Sequence, residues 1–192
     1  ALLNASLGPL AQHTTQAFRD ALAGSGLEAK LYLTQNDGTV LLADRAERYP
    51  VFSFASGPTN SMRGAAFLSG RPDGMVADVG GTTTDVGMLQ GGFPREANNV
   101  IKIGGVRTLF RMPDLISIGL GGGSLVDLDA GTIGPESVGY RLPERARVFG
   151  GPDLTASDLA VAAGLLSLGD ARAVADLSQG DVARFMGLAS TM

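Results

Sequence analysis

The sequence predicts an α/β fold, a mixed sheet flanked by helices, on three observations. Short apolar, β-branched runs alternate along the chain with stretches whose apolar residues recur every three or four positions, so strands and helices interleave. Glycine is abundant, 28 of 192 residues, and its short clusters punctuate those segments as tight turns with no collagen period. Hydrophobic residues make up 44% and charged residues 18%, a balance that fits a packed core and argues against disorder. At this length one good core is expected, and residues 1–192 are read as a single domain.

From the N-terminus, Leu7, Leu10, Thr14, Phe18, Ala21 and Leu22 recur at helical spacing, with Asn4 or Ser6 as cap and Gly24-Ser25-Gly26 as stop. Lys30 to Thr34 and Thr39 to Leu42 flank Asn36-Asp37-Gly38, and an Asp-Gly between two such runs is a hairpin signal. Val51 to Phe54 reads as a short strand. Ser56-Gly57-Pro58 then opens a helix through Met62, Ala65, Ala66 and Leu68 to Gly70. Gly74 to Val79 and Asp85 to Leu89 read as two strands joined by Gly80-Gly81-Thr82-Thr83-Thr84. β-like stretches follow at 99–103 and 106–110, then a strand over Ile116 to Leu120. Leu125 to Leu128 and Thr132-Ile133 suggest another hairpin. Gly134 to Pro152 shows no periodicity and is read as an extended loop. Helices are expected over Thr155 to Leu168, Ala171 to Leu177 and Asp181 to Leu188.

Several functions are disfavoured at once. A net charge of -4, a pI near 4.9 and no block of Lys and Arg argue against nucleic acid. With no cysteine, disulfides and thiolate metal sites are excluded, which suits a cytoplasmic protein. No apolar run approaches the ~20 residues of a bilayer span, and no signal peptide is visible, so no membrane role is expected. The chain starts at Ala1 within a helical pattern, as a trimmed piece of a longer protein would. His13 is the single histidine, so neither a histidine-based triad nor a zinc cluster is expected.

Chemistry concentrates in Met75 to Leu89. A strand delivers Asp78 to its end, Gly80 and Gly81 turn the chain, Thr82, Thr83 and Thr84 follow, and a second strand begins at Asp85. Glycines let the backbone approach a polyphosphate, consecutive N–H groups make a concave anion site, and hydroxyls add donors. Asp78 and Asp85 stand where they would hold a hydrated Mg²⁺, which takes one or two carboxylates plus phosphate oxygens. No Lys follows the glycines, so this is not a Walker loop, and a strand rather than a helix follows, so it is not a dinucleotide fingerprint. A plain Gly-rich hairpin with an acid at each end is the competing reading.

The segment resembles the phosphate-binding hairpin of the actin, sugar-kinase and heat-shock chaperone ATPases, an Asp-x-Gly-Gly-x-Thr-x-Asp turn between antiparallel strands. Asp78, Gly80, Gly81, Thr83 and Asp85 fall on that pattern. Around it, Asn36-Asp37-Gly38, Ser56-Gly57-Pro58, Phe93-Pro94-Arg95, Ser117 to Ser124, Ile133-Gly134-Pro135 and Thr155-x-Ser157-Asp158 occur in the order seen in hydantoinase A and 5-oxoprolinase subunits. The chain is similar to that hydantoin-utilization family over nearly its full length.

The resemblance implies an actin-like (ribonuclease H-type) domain, the central part of a longer protein whose first phosphate hairpin is absent here. It implies an ATP-dependent hydrolase of small cyclic amides such as hydantoins or 5-oxoproline, or carboxylation-type activation of ketones, by ATP phosphorylation of a carbonyl or enol oxygen. The implied cofactors are ATP and Mg²⁺, and the implied partner is a hydantoinase B-type subunit or domain. Asp78 and Asp85 would be the catalytic and metal-organising acids. Gly80, Gly81, Thr82 and Thr83 would cradle phosphate, and Gly121, Gly122, Gly123 and Ser124 would approach the nucleotide, unless they form a corner of the chain. The loop Tyr140 to Arg147 departs from the family pattern. A non-catalytic scaffold or subunit-interaction module, and a sugar- or acyl-kinase relative, are the alternatives. Ser56-Gly57-Pro58 is an anion site or a simple helix start. Asp158 is foremost a helix cap, and Arg95, Arg141, Arg145 and Arg147 are foremost surface charges.

Overall fold

The computed structural model describes residues 2–97, 102–103, 106–107 and 110–192. In chain order the elements are α1 (Leu2–Gly24), β1 (Tyr32–Thr34), β2 (Val40–Leu42), α2 (Ala43–Arg48), α3 (Ser56–Ser69), β3 (Gly74–Val79), β4 (Thr84–Gln90), β5 (Phe93–Pro94), β6 (Lys102–Ile103) and β7 (Val106–Arg107). β8 (Leu115–Ile118), β9 (Ser124–Asp127), β10 (Thr132–Ser137), α4 (Leu142–Arg145), α5 (Ala156–Ala162) and α6 (Gln179–Ala189) follow. The class is α/β, as the interleaved patterns predict. β3, β4 and β5 are hydrogen-bonded in that order, β8 also pairs with β4, and β1–β2, β6–β7 and β9–β10 form separate two-stranded ribbons. The residues group into two compact units, Ala1–Val76 with Gly87–Leu115, and Ala77–Val86 with Ile116–Met192.

In the first unit, α1 packs on α2 through a polar seam. The Thr15 hydroxyl, 1% exposed, donates to Glu47 at 2.6 Å, and Arg19 bridges Asp44 and Glu47. Hydrogen bonding from Thr15, ahead of the Arg19 guanidinium, holds the Glu47 carboxyl below its ordinary range. The core is formed by Ala43, Ala46, Val51, Met62 and Leu89. Gly87 makes room for Met62, whose ε carbon and sulfur lie 2.8 Å from where a Cβ would stand. α3 ends at Gly70, whose φ of 66° is the left-handed conformation that stops a helix.

Two small cores serve the second unit. One gathers Ala146, Val148, Val161 and Val174, and the other Ile133, Leu159 and Phe185. α5 begins with a capping box in which Thr155 and Asp158 each accept from the other's backbone N–H. Ser178 caps α6 by accepting from the Asp181 N–H.

Several expectations are corrected. α1 starts at Leu2, so Asn4 lies inside the helix and its amide donates to the Arg48 carbonyl at 3.0 Å instead of capping. Val51 to Phe54 is not a strand: a 3-10 turn runs over Pro50–Phe52, because Pro50 at its start presets helical φ. Gly134 to Pro152 is not one extended loop. β10 continues to Ser137, and α4 lies between 3-10 turns at Gly139–Arg141 and Arg147–Phe149. α5 stops at Ala162, ahead of Gly164 at φ 72°, and Ala171–Val174 is a 3-10 turn rather than a full helix. The strands expected at 99–103 and 106–110 lie partly outside the described residues; of the described ones, Lys102–Ile103 pairs antiparallel with Val106–Arg107.

Candidate functional site

The β3–β4 hairpin tip, Ala77–Val86, belongs to the second unit. β3 ends one residue after Asp78 and β4 starts one before Asp85, so the alternation of each strand sets both carboxylates beside the turn. Both are half-buried, while Gly80, Gly81 and Thr82 are exposed and Thr83 is half-buried. The turn is closed by the Gly80 N–H donating to the Thr83 carbonyl at 2.8 Å. Among the described residues, the N–H groups of Gly81 and Thr82 have no backbone acceptor in this turn, and both residues are exposed.

The second glycine segment backs this tip. The Gly122 N–H donates to the Gly80 carbonyl at 3.0 Å and the Gly123 N–H to the Gly81 carbonyl at 2.7 Å. Contact is so close that a Cβ on Gly121 would stand 2.6 Å from the Thr82 nitrogen and 2.7 Å from Gly80 oxygen. Ser124 is 0% exposed, and its hydroxyl accepts from the Gly121 N–H at 2.9 Å. The structure therefore brings Gly80 to Thr83 and Gly121 to Ser124 together. In this arrangement the Gly122 and Gly123 N–H groups are engaged by the hairpin's own carbonyls.

Two further residues, outside the set expected to bind phosphate or metal, fix the tip. The Ser137 hydroxyl donates to the Gly81 carbonyl at 3.1 Å and accepts from the Gly139 N–H at 3.1 Å. The Thr84 hydroxyl donates to the Leu120 carbonyl at 2.7 Å. Thr84 was visible as the third threonine of the turn. Ser137 carried no signal, because its partner lies 56 positions away.

Asp78 and Asp85 are two carboxylates, fewer than a protein-built metal cage needs. Among the described residues, no three His, Cys, Asp or Glu side chains gather as a metal cluster. Mg²⁺ needs only one or two carboxylates when phosphate oxygens and waters complete its shell.

The remaining candidates sort by their partners. Asp158, 0% exposed, accepts from the Val148 and Thr155 N–H groups at 2.8 Å each and from the Thr155 hydroxyl, which makes it an internal cap. Arg95 pairs with Asp114, Arg141 with Glu144, Arg145 with Asp153 and Arg147 with Asp176. Hydrogen bonding from the Arg145 guanidinium holds the Asp153 carboxyl below its usual range. Ser56 and Pro58 lie in the first turn of α3, where Ala55 is the cap residue and no side chain caps the helix. His13 is exposed on α1. No helix among the described residues is long and apolar enough to cross a membrane.

Known proteins share this architecture. The nucleotide-free structure of an acetone carboxylase, an enzyme of ATP-dependent acetone carboxylation, matches with a TM-score of 0.66 at 22% identity over 88% of this chain and 26% of that one. An ATP-dependent caprolactamase from Pseudomonas jessenii matches with a TM-score of 0.59 at 22% identity over 86% of this chain and 25% of that one. These likenesses show the fold and fit the actin-like class that the sequence predicts. In sequence, the acetophenone carboxylase gamma subunit of Aromatoleum aromaticum is 28% identical over 174 residues, 87% of this chain and 24% of that protein. An uncharacterised protein of Methanocaldococcus jannaschii is 28% identical over 155 residues, 72% of this chain and 23% of its own length. The chain thus spans about a quarter of the length of the relatives it matches. Residues 1–170 match the hydantoinase/oxoprolinase family, and the chain belongs to that family.

Proposed function

We propose that this chain supplies the phosphate- and Mg²⁺-binding hairpin of an ATP-dependent enzyme that opens small cyclic amides such as hydantoins or 5-oxoproline. The observation that carries the reading is the hairpin tip: exposed residues Gly81 and Thr82, whose N–H groups have no backbone acceptor among the described residues, flanked by Asp78 and Asp85 and braced by Gly121 to Ser124. Gly80, Gly81, Thr82 and Thr83 cradle the phosphates. Asp78 and Asp85 hold Mg²⁺, which supplies charge neutralisation when bound, and orient water. Gly121, Gly122, Gly123 and Ser124, proposed from the sequence to approach the nucleotide, act in this arrangement as a brace behind the hairpin, with their N–H groups engaged within the chain. Phosphoryl transfer at such a site proceeds through positioning and charge stabilisation, which asks for a preorganised backbone more than for a nucleophile.

Support comes from the family membership and from relatives whose names state ATP-dependent carboxylation and caprolactamase activity. A relative named as a gamma subunit supports work beside a partner, here a hydantoinase B-type subunit or domain. Residues 1–192 act in this reading as one functional domain of a longer cytoplasmic protein, and turnover needs the rest of it.

Calorimetric titration with ATP, in Mg²⁺ and in EDTA, tests the assignment. Mg²⁺-dependent binding is expected, weakened at least tenfold in Asp78→Asn with the fold intact by circular dichroism. Equal affinity in the variant and the wild type overturns the hairpin's role.

A further inference from the structure

Within the second unit, the 3-10 turn over Gly139–Arg141 is tied to the hairpin tip and to its brace. The Ser137 hydroxyl donates to the Gly81 carbonyl and accepts from the Gly139 N–H, and the Val138 N–H donates to the Gly123 carbonyl at 2.9 Å. The Arg141 N–H closes the turn on the Val138 carbonyl at 3.1 Å, and the Leu142 N–H donates to the Gly139 carbonyl. Gly139 makes the close approach. A Cβ there would stand 3.7 Å from the Thr82 hydroxyl oxygen, and its carbonyl oxygen lies 3.8 Å from where a Cβ on Gly81 would be. One peptide step of about 3.8 Å then leads to Tyr140.

Tyr140 is 94% exposed, and among the described residues its ring pairs with no other aromatic ring and no guanidinium. A backbone fixed on both sides therefore holds out a flat ring whose faces are free. Such a ring gains most from a flat partner, and with only two side-chain torsions to fix it loses little entropy on meeting one. In the proposed function the tip holds phosphates, and a nucleotide carries its base on the far side of a ribose, several ångströms from them. The phosphoryl acceptor, by contrast, must meet the terminal phosphorus at the tip itself. The Tyr140 ring starts one residue beyond the last contact with the tip and is not packed against it, a remove that suits the base and not the acceptor.

We propose that the Tyr140 ring stacks on the purine base of the nucleotide whose phosphates the hairpin holds, an inference that rests on the hairpin's proposed role. The contact is made by the face of the ring, so it needs no hydrogen bond from the phenol. The ties from Ser137 to Gly81 and from Val138 to Gly123 set the distance between phosphates and base.

The probes are ATP and tripolyphosphate, which has the phosphates without the base, each titrated calorimetrically with Mg²⁺. Tyr140→Ala should weaken ATP binding about tenfold and leave tripolyphosphate binding unchanged. Tyr140→Phe, which keeps the ring, should bind ATP as the wild type does. The adenine H2 and H8 resonances should move upfield on binding to the wild type, and this ring-current shift should be lost in Tyr140→Leu. The side chain is almost fully exposed, so all three variants keep the fold. If the wild type binds neither ligand, the hairpin's role fails and this inference with it. If the wild type binds tripolyphosphate but Tyr140→Ala leaves ATP affinity unchanged, or weakens both ligands equally, the stacking alone is overturned. A loss in Tyr140→Phe as large as in Tyr140→Ala would assign the effect to the hydroxyl and overturn it too.

Discussion

Replacing Gly121 with alanine tests whether the two glycine segments form one rigid assembly. The added methyl would stand 2.6 Å from the Thr82 nitrogen and 2.7 Å from both the Gly80 oxygen and the Gly81 carbonyl carbon. All three are backbone atoms, so no side-chain rotation relieves the clash and the segments must separate. Overpacking of this kind costs about 1–3 kcal/mol. Separation also weakens the bonds from Gly122 to Gly80 and from Gly123 to Gly81, each contributing about 1 kcal/mol net. The sum is about 3–5 kcal/mol. At about 2–4 °C per kcal/mol for a chain of this size, the melting temperature should fall by about 6–20 °C. The control is Gly64→Ala in α3, where nothing lies within 4 Å of the new methyl. Helix propensity there predicts a gain of about 0.5–1 kcal/mol. Thermal melting by circular dichroism measures both. A Gly121→Ala chain that melts with the wild type would refute the bracing argument.

Other predictions follow from the same geometry. Asp158→Ala leaves the buried Val148 and Thr155 N–H donors unpaired, and urea denaturation should show a loss of about 3–5 kcal/mol. Asp158→Asn, which keeps the shape, should lose less. The Asp170 carboxyl is held down to about 2 by Arg172, through side-chain and backbone hydrogen bonds. Its folded value is depressed, so the stabilisation it gives is present above the unfolded value near 3.8 and is lost as pH falls toward 2. A carboxyl-carbon NMR titration should place its midpoint near 2 in the wild type. Arg172→Ala should move that midpoint upward, and an unmoved one would contradict the pairing.

Local chemistry was legible wherever one short segment decides it. The Asp37-Gly38 turn is the β1–β2 hairpin, Gly70 stops α3, and the glycine turn after Asp78 joins β3 to β4. What stayed hidden depends on distant partners. Asn4 matched a cap by type, but α1 extends beyond it and gives its amide to Arg48. Val51 to Phe54 carries strand-forming residues, yet Pro50 and the contact of Asn36 with the Val51 carbonyl bend it into a turn. Asp78 and Asp85 were readable as a pair because strand spacing places them. The bracing of their turn by Ser137 and the Gly122 and Gly123 N–H groups required the assembled chain. The 134–152 segment lacks periodicity because its pieces are single turns pinned from outside, for example Val148 to Asp158.

The most direct measurement is amide NMR of the ¹⁵N-labelled chain during titration with Mg²⁺-ATP. The account predicts saturable shifts that are largest at Gly81 and Thr82, extend to Gly80, Thr83, Asp78 and Asp85, and disappear when Mg²⁺ is removed. Shifts centred elsewhere, with the hairpin tip unmoved at saturation, would contradict it.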